Sequence, residues 1–123
     1  MPWTSGYIKT DRIQLHYHRT GGDKPIIVLA HGLTDSGLCW TRLARALEAD
    51  YDLIMVDARG HGLSAVPKTG YSTDDHAADL ADLVQALDLD ADGDLDILTC
   101  EEVLKEFKSS ICTMHFCHYK VSF

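Results

Sequence analysis

A turn-forming triplet, His31-Gly32-Leu33, directly follows the continuous apolar run of residues 26–30. Backbone N–H groups that face a dry site stabilise the negative charge that develops on a reacting oxygen. Glycine lets the backbone approach a substrate closely because it has no Cβ. The triplet is therefore a candidate for chemistry at a carbonyl-like group, although a His-Gly pair taken alone is equally typical of a turn that only ends a strand.

A second motif, D-x-R-G-x-G-x-S, occupies residues 57–64. Its defined positions are Asp57, Arg59, Gly60, Gly62 and Ser64. The two glycines permit a tight turn, and the carboxylate and guanidinium groups can satisfy neighbouring backbone groups, so we predict a structural loop. We interpret His61, inside this loop, as a packing or capping residue rather than a catalytic base.

Hydrophobic patterning predicts the strands that would hold these motifs. Residues 12–19 alternate apolar and polar side chains, which is the period of a half-exposed strand, and Tyr7-Ile8 is its predicted hairpin partner. Residues 26–30 and 53–56 are continuously apolar, as expected for parallel strands that are covered on both faces. The two motifs directly follow these two buried strands.

Two helices are predicted from apolar residues at helical spacing. The first carries a buried stripe from Trp40 to Leu47 and connects the two buried strands, which makes a right-handed parallel unit. The second begins after Ser72, with Asp75 completing an approximate capping box, and extends to Leu87. The predicted order is a β-hairpin followed by strand, helix, strand and helix.

These motifs, in this order, resemble the α/β-hydrolase fold family. Residues 25–33 resemble its third strand and oxyanion loop, and residues 57–64 resemble the loop after its fourth strand. The helix that ends at Leu87 resembles the one that precedes the family's nucleophile. The fold class that the resemblance implies is α/β. Residues 7–88 would form the N-terminal part of the hydrolase sheet, truncated before the nucleophile elbow.

The resemblance implies a function and a partial site. In this fold one oxyanion donor comes from the loop after the third strand, which assigns the donor to the Leu33 backbone N–H, with His31 and Gly32 shaping the loop. The nucleophile of the family sits in G-x-S-x-G, and the chain has no such sequence. Ser64 lacks the second glycine and follows the wrong strand. The acid and histidine of the triad are expected further on.

Residues 96–99 could fill the position of the family's fifth strand, and Cys100 would then follow that strand as a weak substitute for the missing serine. Leu98 and Glu102 flank it where small residues are needed, and nearby acids oppose thiolate formation.

The family resemblance implies, for the full-length protein, hydrolysis of esters, amides, epoxides or related carbon–heteroatom bonds in small molecules. The chain itself is expected to be inactive. The alternative is a non-catalytic fragment or binding module.

An acidic run near the end of the second helix is a candidate calcium site, which would support the alternative of a non-catalytic binding module. It contains Asp88, Asp90, Asp92, Asp94 and Asp96. Alternating oxygen ligands with glycine sixth suit calcium, and the run resembles the calcium loops of EF-hand and integrin-propeller repeats. An EF-hand needs a glutamate where the sequence has Thr99, and propeller loops need neighbouring blades. We favour an acidic, solvated connection between a helix and a strand and keep calcium as the alternative.

The sequence predicts three parts along the chain. We predict a partial hydrolase domain over 1–88, an acidic loop over 89–99 and a tail of uncertain structure over 100–123. The tail contains Cys112, His115, Cys117 and His118. Their side chains are compatible with zinc, but the spacing is too cramped for four ligands on one tetrahedral ion.

Charge and composition limit which binding partners and which cellular compartment are expected. The formal net charge of −8 argues against nucleic acid and against anionic membrane surfaces. No apolar run approaches the roughly 18 residues of a spanning helix, and the first residues lack the pattern of a signal peptide. We expect a cytoplasmic, acidic protein with reduced cysteines, no cofactor apart from the calcium alternative, and self-association through an exposed sheet edge.

Overall fold

The computed structural model describes residues 2–32, 35–90 and 95–99. Within these residues the chain forms five strands, two α-helices and one 3₁₀ turn. The strands are β1 (Thr4–Lys9), β2 (Gln14–Arg19), β3 (Ile26–Ala30), β4 (Asp52–Val56) and β5 (Leu95–Thr99); the helices are α1 (Thr41–Leu47), preceded by the 3₁₀ turn Gly37–Trp40, and α2 (Thr73–Ala86). Neither α-helix is long and apolar enough to cross a bilayer.

The five strands form one mixed sheet in the order β1-β2-β4-β3-β5. β1 and β2 pair as an antiparallel hairpin, and β2 continues antiparallel to β4. β3 lies between β4 and β5 and is parallel to both. The predicted hairpin and the predicted parallel strand–helix–strand unit are therefore confirmed, and β5 extends the sheet beyond them.

The continuous apolar runs of β3 and β4 are explained by helices on both faces of the sheet. Successive side chains of a strand point to opposite faces. Val28 and Ile54 face a core with α2, whereas Leu29 and Met55 face a second core with Trp40 and the α1 residues. All four of these strand side chains are fully buried, so the two hydrophobic layers fix the register of the central strands.

The start of α2 has the predicted capping box. The Ser72 hydroxyl accepts a hydrogen bond from the Asp75 N–H at 3.1 Å, and the Asp75 carboxylate accepts one from the Ser72 N–H at 3.1 Å. Two N–H groups that the helix cannot satisfy internally are thereby paired. The cap sets the start of α2 at Thr73, after the connection of residues 65–72 that follows the 57–64 loop.

The acidic segment differs from the loop predicted over 89–99, because its last five residues form β5. Leu95 and Ile97 pack against the core below α2, and Leu98 packs against the core on the opposite face. Apolar contacts on both faces and parallel pairing with β3 make this segment a strand, although Asp96 is exposed. Residues 91–94 and the tail from 100 onward lie outside the described residues.

Candidate active-site loops and their supporting network

The carboxyl ends of β3 and β5 lie side by side, since Ala30 pairs with Thr99 in parallel register. His31 and Gly32 leave the sheet at this edge, and the 57–64 loop leaves it after the neighbouring β4. Open α/β sheets bind their ligands outside the carboxyl ends of the strands. This edge is therefore the candidate active-site region of the chain.

His31 joins the loops after β3 and β4. Its Nε2 accepts a hydrogen bond from the Ala58 N–H at 2.9 Å, and its Nδ1 lies 2.6 Å from the Gly32 carbonyl oxygen. An imidazole whose Nε2 accepts carries its proton on Nδ1, so His31 is neutral and donates to Gly32. The ring is 1% exposed, and burial lowers its pKa below the ordinary 6.5. Both nitrogens are engaged, which suits a positioning role.

Asp57 is the centre of a buried hydrogen-bond network. One carboxylate oxygen accepts from the Gly37 N–H at 2.6 Å; the other accepts from the Leu63 N–H at 3.1 Å and from His16 Nδ1 at 2.8 Å. Burial alone would raise the pKa of Asp57, but these three donors outweigh it and hold the pKa below 3.8. Asp57 therefore stays ionised and ties three chain segments together.

Ser64 belongs to the same network but is not connected as a nucleophile. Its hydroxyl donates to the Asp57 carbonyl oxygen at 2.6 Å and accepts from the His16 N–H at 2.8 Å. A serine nucleophile needs a hydrogen bond to an imidazole nitrogen, whereas Ser64 contacts only backbone groups. The buried serine, histidine and aspartate thus share the composition of a catalytic triad without its geometry.

Arg59 attaches the same loop to α2. Its Nε and Nη2 donate to the two carboxylate oxygens of Asp79 at 2.6 and 2.7 Å, and Nη1 donates to the Gly70 carbonyl. The hydrogen bond from Asp79 raises the pKa of Arg59 further above its ordinary range. A bidentate pair of this kind fixes orientation as well as distance, so Arg59 holds the loop in a fixed orientation against α2.

His61 also contacts backbone in this loop. Its Nδ1 lies 2.9 Å from the Arg59 carbonyl oxygen, and its ring meets the His31 ring edge-on with centroids 5.1 Å apart. The contact packs the two loops against each other.

A small cavity of about 20 Å³ lies beneath the two loops, where His31, His76 and Asp79 line it together with apolar side chains. A space of this size holds one water molecule. It is too small for an organic substrate.

Several predicted site residues lie outside the described residues. These are Leu33, Asp92, Asp94, Cys100 and the four cysteines and histidines after residue 111. Asp88, Asp90 and Asp96 are described and exposed, and the calcium site on the acidic run stays a prediction.

The sequence analysis did not identify the partners in the two buried pairs described above, His16 for Asp57 and Asp79 for Arg59. The alternation of residues 12–19 predicts a strand that contains His16, and Asp79 lies inside the predicted second helix. Neither residue has a local signal for its contact, because the first contact depends on the register of β2 with β4 and the second on the placement of α2.

Comparisons with known proteins agree with this architecture. Residues 25–91 match the family model described as alpha/beta hydrolase fold. Epoxide hydrolase 1 of Caenorhabditis elegans is 34% identical over 91 residues, which make up 72% of this chain and 22% of that protein. N-formylmaleamate deformylase of Pseudomonas putida is 36% identical over 87 residues, or 70% of this chain and 32% of that protein.

The crystal structure of E-2-(acetamidomethylene)succinate hydrolase superposes with a TM-score of 0.66 and 34% identity, covering 71% of this chain and 32% of that one. This chain therefore spans between about a fifth and a third of the length of these relatives. The matched region contains both loops, the strands that carry them and α2, and the chain belongs to the α/β-hydrolase fold family.

Proposed function

We propose that this chain supplies the oxyanion loop of a hydrolase that cleaves an ester or related carbon–heteroatom bond in a small molecule. The names of its relatives, an epoxide hydrolase, a deformylase and an (acetamidomethylene)succinate hydrolase, support this reaction class. We further propose that the protein acts in the cytosol, where its cysteines would be reduced.

The observation that carries the proposal is the fixed position of Gly32 at the ends of β3 and β5. His31 holds the Gly32 carbonyl and is itself held by the Ala58 N–H. The carbonyl of Gly32 and the N–H of Leu33 belong to one planar peptide group. We propose that fixing this carbonyl fixes the direction in which the Leu33 N–H is offered to a developing oxyanion.

We propose that the chain as given does not catalyse hydrolysis. An oxyanion donor has nothing to stabilise without an aligned nucleophile and base, because triad members act as a unit. Ser64, the serine of the second motif, is committed to backbone hydrogen bonds. Purified chain should therefore hydrolyse a chromogenic short-chain ester no faster than buffer. Turnover that falls in Cys100→Ala would contradict this and make Cys100 a nucleophile.

A chimera tests the oxyanion loop directly. Residues 1–99 would replace the matching segment of E-2-(acetamidomethylene)succinate hydrolase, and hydrolysis of that enzyme's substrate would be measured. Leu33→Pro removes the N–H and should lower kcat about 10²–10³-fold, the effect of losing one oxyanion donor. Leu33→Ala keeps the N–H and should retain activity. Equal activity of both variants in a folded chimera would contradict the proposed donor.

The alternative is a non-catalytic module whose acidic run binds calcium. Calcium that binds the folded chain should raise its melting temperature, with about 2.7 kcal/mol of stabilisation at a hundred times the dissociation constant. Asp92→Asn should remove most of that shift. An unchanged melting temperature at millimolar calcium would leave the acidic run as a solvated connection.

A further inference from the structure

We propose that His16 and His18 bind one divalent transition-metal ion of the zinc, nickel or copper type, with Asp57 orienting His16. One nitrogen of each histidine and one carboxylate oxygen of Asp57 lie within 4.8 Å of one another. Within the described stretches, this is the group of three metal-compatible side chains that the structure brings together. The site is distinct from the proposed oxyanion loop.

The strand geometry of β2 places both imidazoles on one face of the sheet. Residues two apart on a strand point the same way, and the His16 and His18 rings meet edge-on with centroids 4.8 Å apart. Leu15 and Tyr17 point to the opposite face, where they pack in the core below α2. A His-x-His pair on a strand can therefore present two nitrogens to one ion without any change of the backbone.

Asp57 prepares His16 for this role. His16 Nδ1 lies 2.8 Å from the Asp57 carboxylate, which accepts its hydrogen bond, so Nε2 is the nitrogen that remains for an ion. Metal-binding histidines usually donate their other N–H to a carboxylate in this way, which fixes the tautomer and strengthens the ligand. Asp57 already accepts from Gly37 and Leu63, and we therefore assign it as an orienting group rather than a ligand.

The exposure of the two histidines defines how an ion would enter. His16 is 3% exposed, whereas His18 is half-buried and forms the solvent edge of the pair. Tyr7, 53% exposed, covers the other side of the His16 ring with centroids 4.9 Å apart. Two nitrogens on one ion are at most about 4.2 Å apart, twice the zinc–nitrogen distance. The site closes when the half-buried His18 side chain rotates so that one of its nitrogens comes within that distance of His16 Nε2.

The donor set selects the class of metal. Imidazole nitrogens suit zinc, copper and nickel, whereas calcium and magnesium require oxygen ligands. The net charge of −8 favours association with any cation. The sequence contains a competing donor set of Cys112, His115, Cys117 and His118, so the experiment has to separate the two.

Nickel titration of the full chain, by calorimetry under reducing conditions, tests the proposal with two variants. The wild-type chain and the tail variant His115→Gln/His118→Gln should each bind one equivalent. His18→Gln removes a ligand and should weaken binding by more than the 10–100-fold that loss of an orienting group causes. Binding that persists in His18→Gln, that is lost in the tail variant, or that is absent from the wild type would overturn the proposal.

Copper-induced broadening of amide NMR signals locates the ion in the wild-type chain and does not depend on the folding of any variant. Substoichiometric Cu²⁺ should broaden the signals of Tyr7 and of residues 16–18 first. Broadening that is confined to residues 112–118 would overturn the site on β2.

Discussion

Gly62 lies directly against the carboxylate of Asp57, and a Cβ on Gly62 would overlap the carboxyl carbon and its oxygens. Gly62 also has a φ of +50°, which L-residues adopt at a cost. The glycine therefore serves two purposes, a left-handed turn and close approach to the buried carboxylate.

Alanine at Gly62 should be far more destabilising than alanine at Gly21. Gly21 has a φ of +87° but open space where a Cβ would lie, so it isolates the backbone cost of about 1–2 kcal/mol. Gly62→Ala adds overpacking against Asp57, about 1–3 kcal/mol more. Urea unfolding of the two variants measures the difference. Equal free energies of unfolding would show that Asp57 moves aside without cost.

Replacement of His31 by phenylalanine should destabilise the chain by about 1–3 kcal/mol for each buried polar group left unpaired. The substitution keeps a ring but leaves the Ala58 N–H and the Gly32 carbonyl without the partner that His31 supplies. His18→Gln, at a half-buried position, is the control and should change stability by less than about 0.5 kcal/mol. The two values come from the same denaturant titrations, and similar losses would refute the bridging role of His31.

Stability should fall as the pH is lowered from 6.5 toward 4.5. Burial lowers the pKa of His18, His31 and His76 below 6.5. Below that pH the unfolded chain binds protons that the folded chain does not. The free energy of unfolding then decreases, with a limit of about 1.4 kcal/mol per pH unit for each histidine.

The carboxylates affect the free energy of unfolding in a separate, more acidic pH range. The pKa of Asp57 is held below 3.8, chiefly by backbone donors against the opposing effect of burial, so its stabilisation is lost only under more acidic conditions. Urea titrations between pH 8 and 4.5 therefore report the histidines. The slope should be smaller in His31→Phe, and a flat profile in the wild type would contradict the prediction.

The two arginines that contact Asp79 should contribute very differently. Arg59 forms a buried bidentate pair with Asp79, whereas Arg12 reaches it at 3.2 Å with a side chain that is 37% exposed. Arg59→Ala leaves a buried carboxylate and should cost about 3–5 kcal/mol. Arg12→Ala should cost at most about 1 kcal/mol. Thermal unfolding at low and high salt checks both values, and similar losses would mean that Arg12 can replace Arg59.

The edge position of β5 predicts self-association. Among the described strands β5 pairs only with β3, and an unpaired strand edge is a template for another chain. Sedimentation of the purified chain should show a mass that rises with concentration. A compact monomer with a cooperative, high-temperature melt would argue that the edge is protected.

Local patterns were sufficient to predict the hairpin, the two parallel strands and the Ser72 cap. Each depends on residues close together in sequence: alternation in 12–19, apolar runs at 26–30 and 53–56, and a hydroxyl three residues from a carboxylate. The Asp96 region was harder, because five acidic residues favoured a solvated loop although residues 96–99 also offered a candidate fifth strand. The choice between the two depends on β3, which is the parallel partner of this strand.

The supporting network could not be predicted because its contacts join distant parts of the chain. His16 precedes Asp57 by 41 residues, and Arg59 precedes Asp79 by 20. The choice of His16 depends on the register of β2 against β4, since a shift by one residue would place Leu15 or Tyr17 opposite the carboxylate. Loop 57–64 was predicted to be structural, but only the fold identifies the groups to which its charged residues are hydrogen-bonded.

The convergence of three segments on the Asp57 carboxylate also bears on the order of events during folding. Its donors come from residues 6, 20 and 41 positions away, and contacts of long separation form after nearby pairings have reduced the entropy of closing the chain. The network should thus close late, after β3 and β4 have paired. An Asp57→Asn chain would then fold at nearly the normal rate but unfold much faster, so that Asp57 governs the lifetime of the folded state.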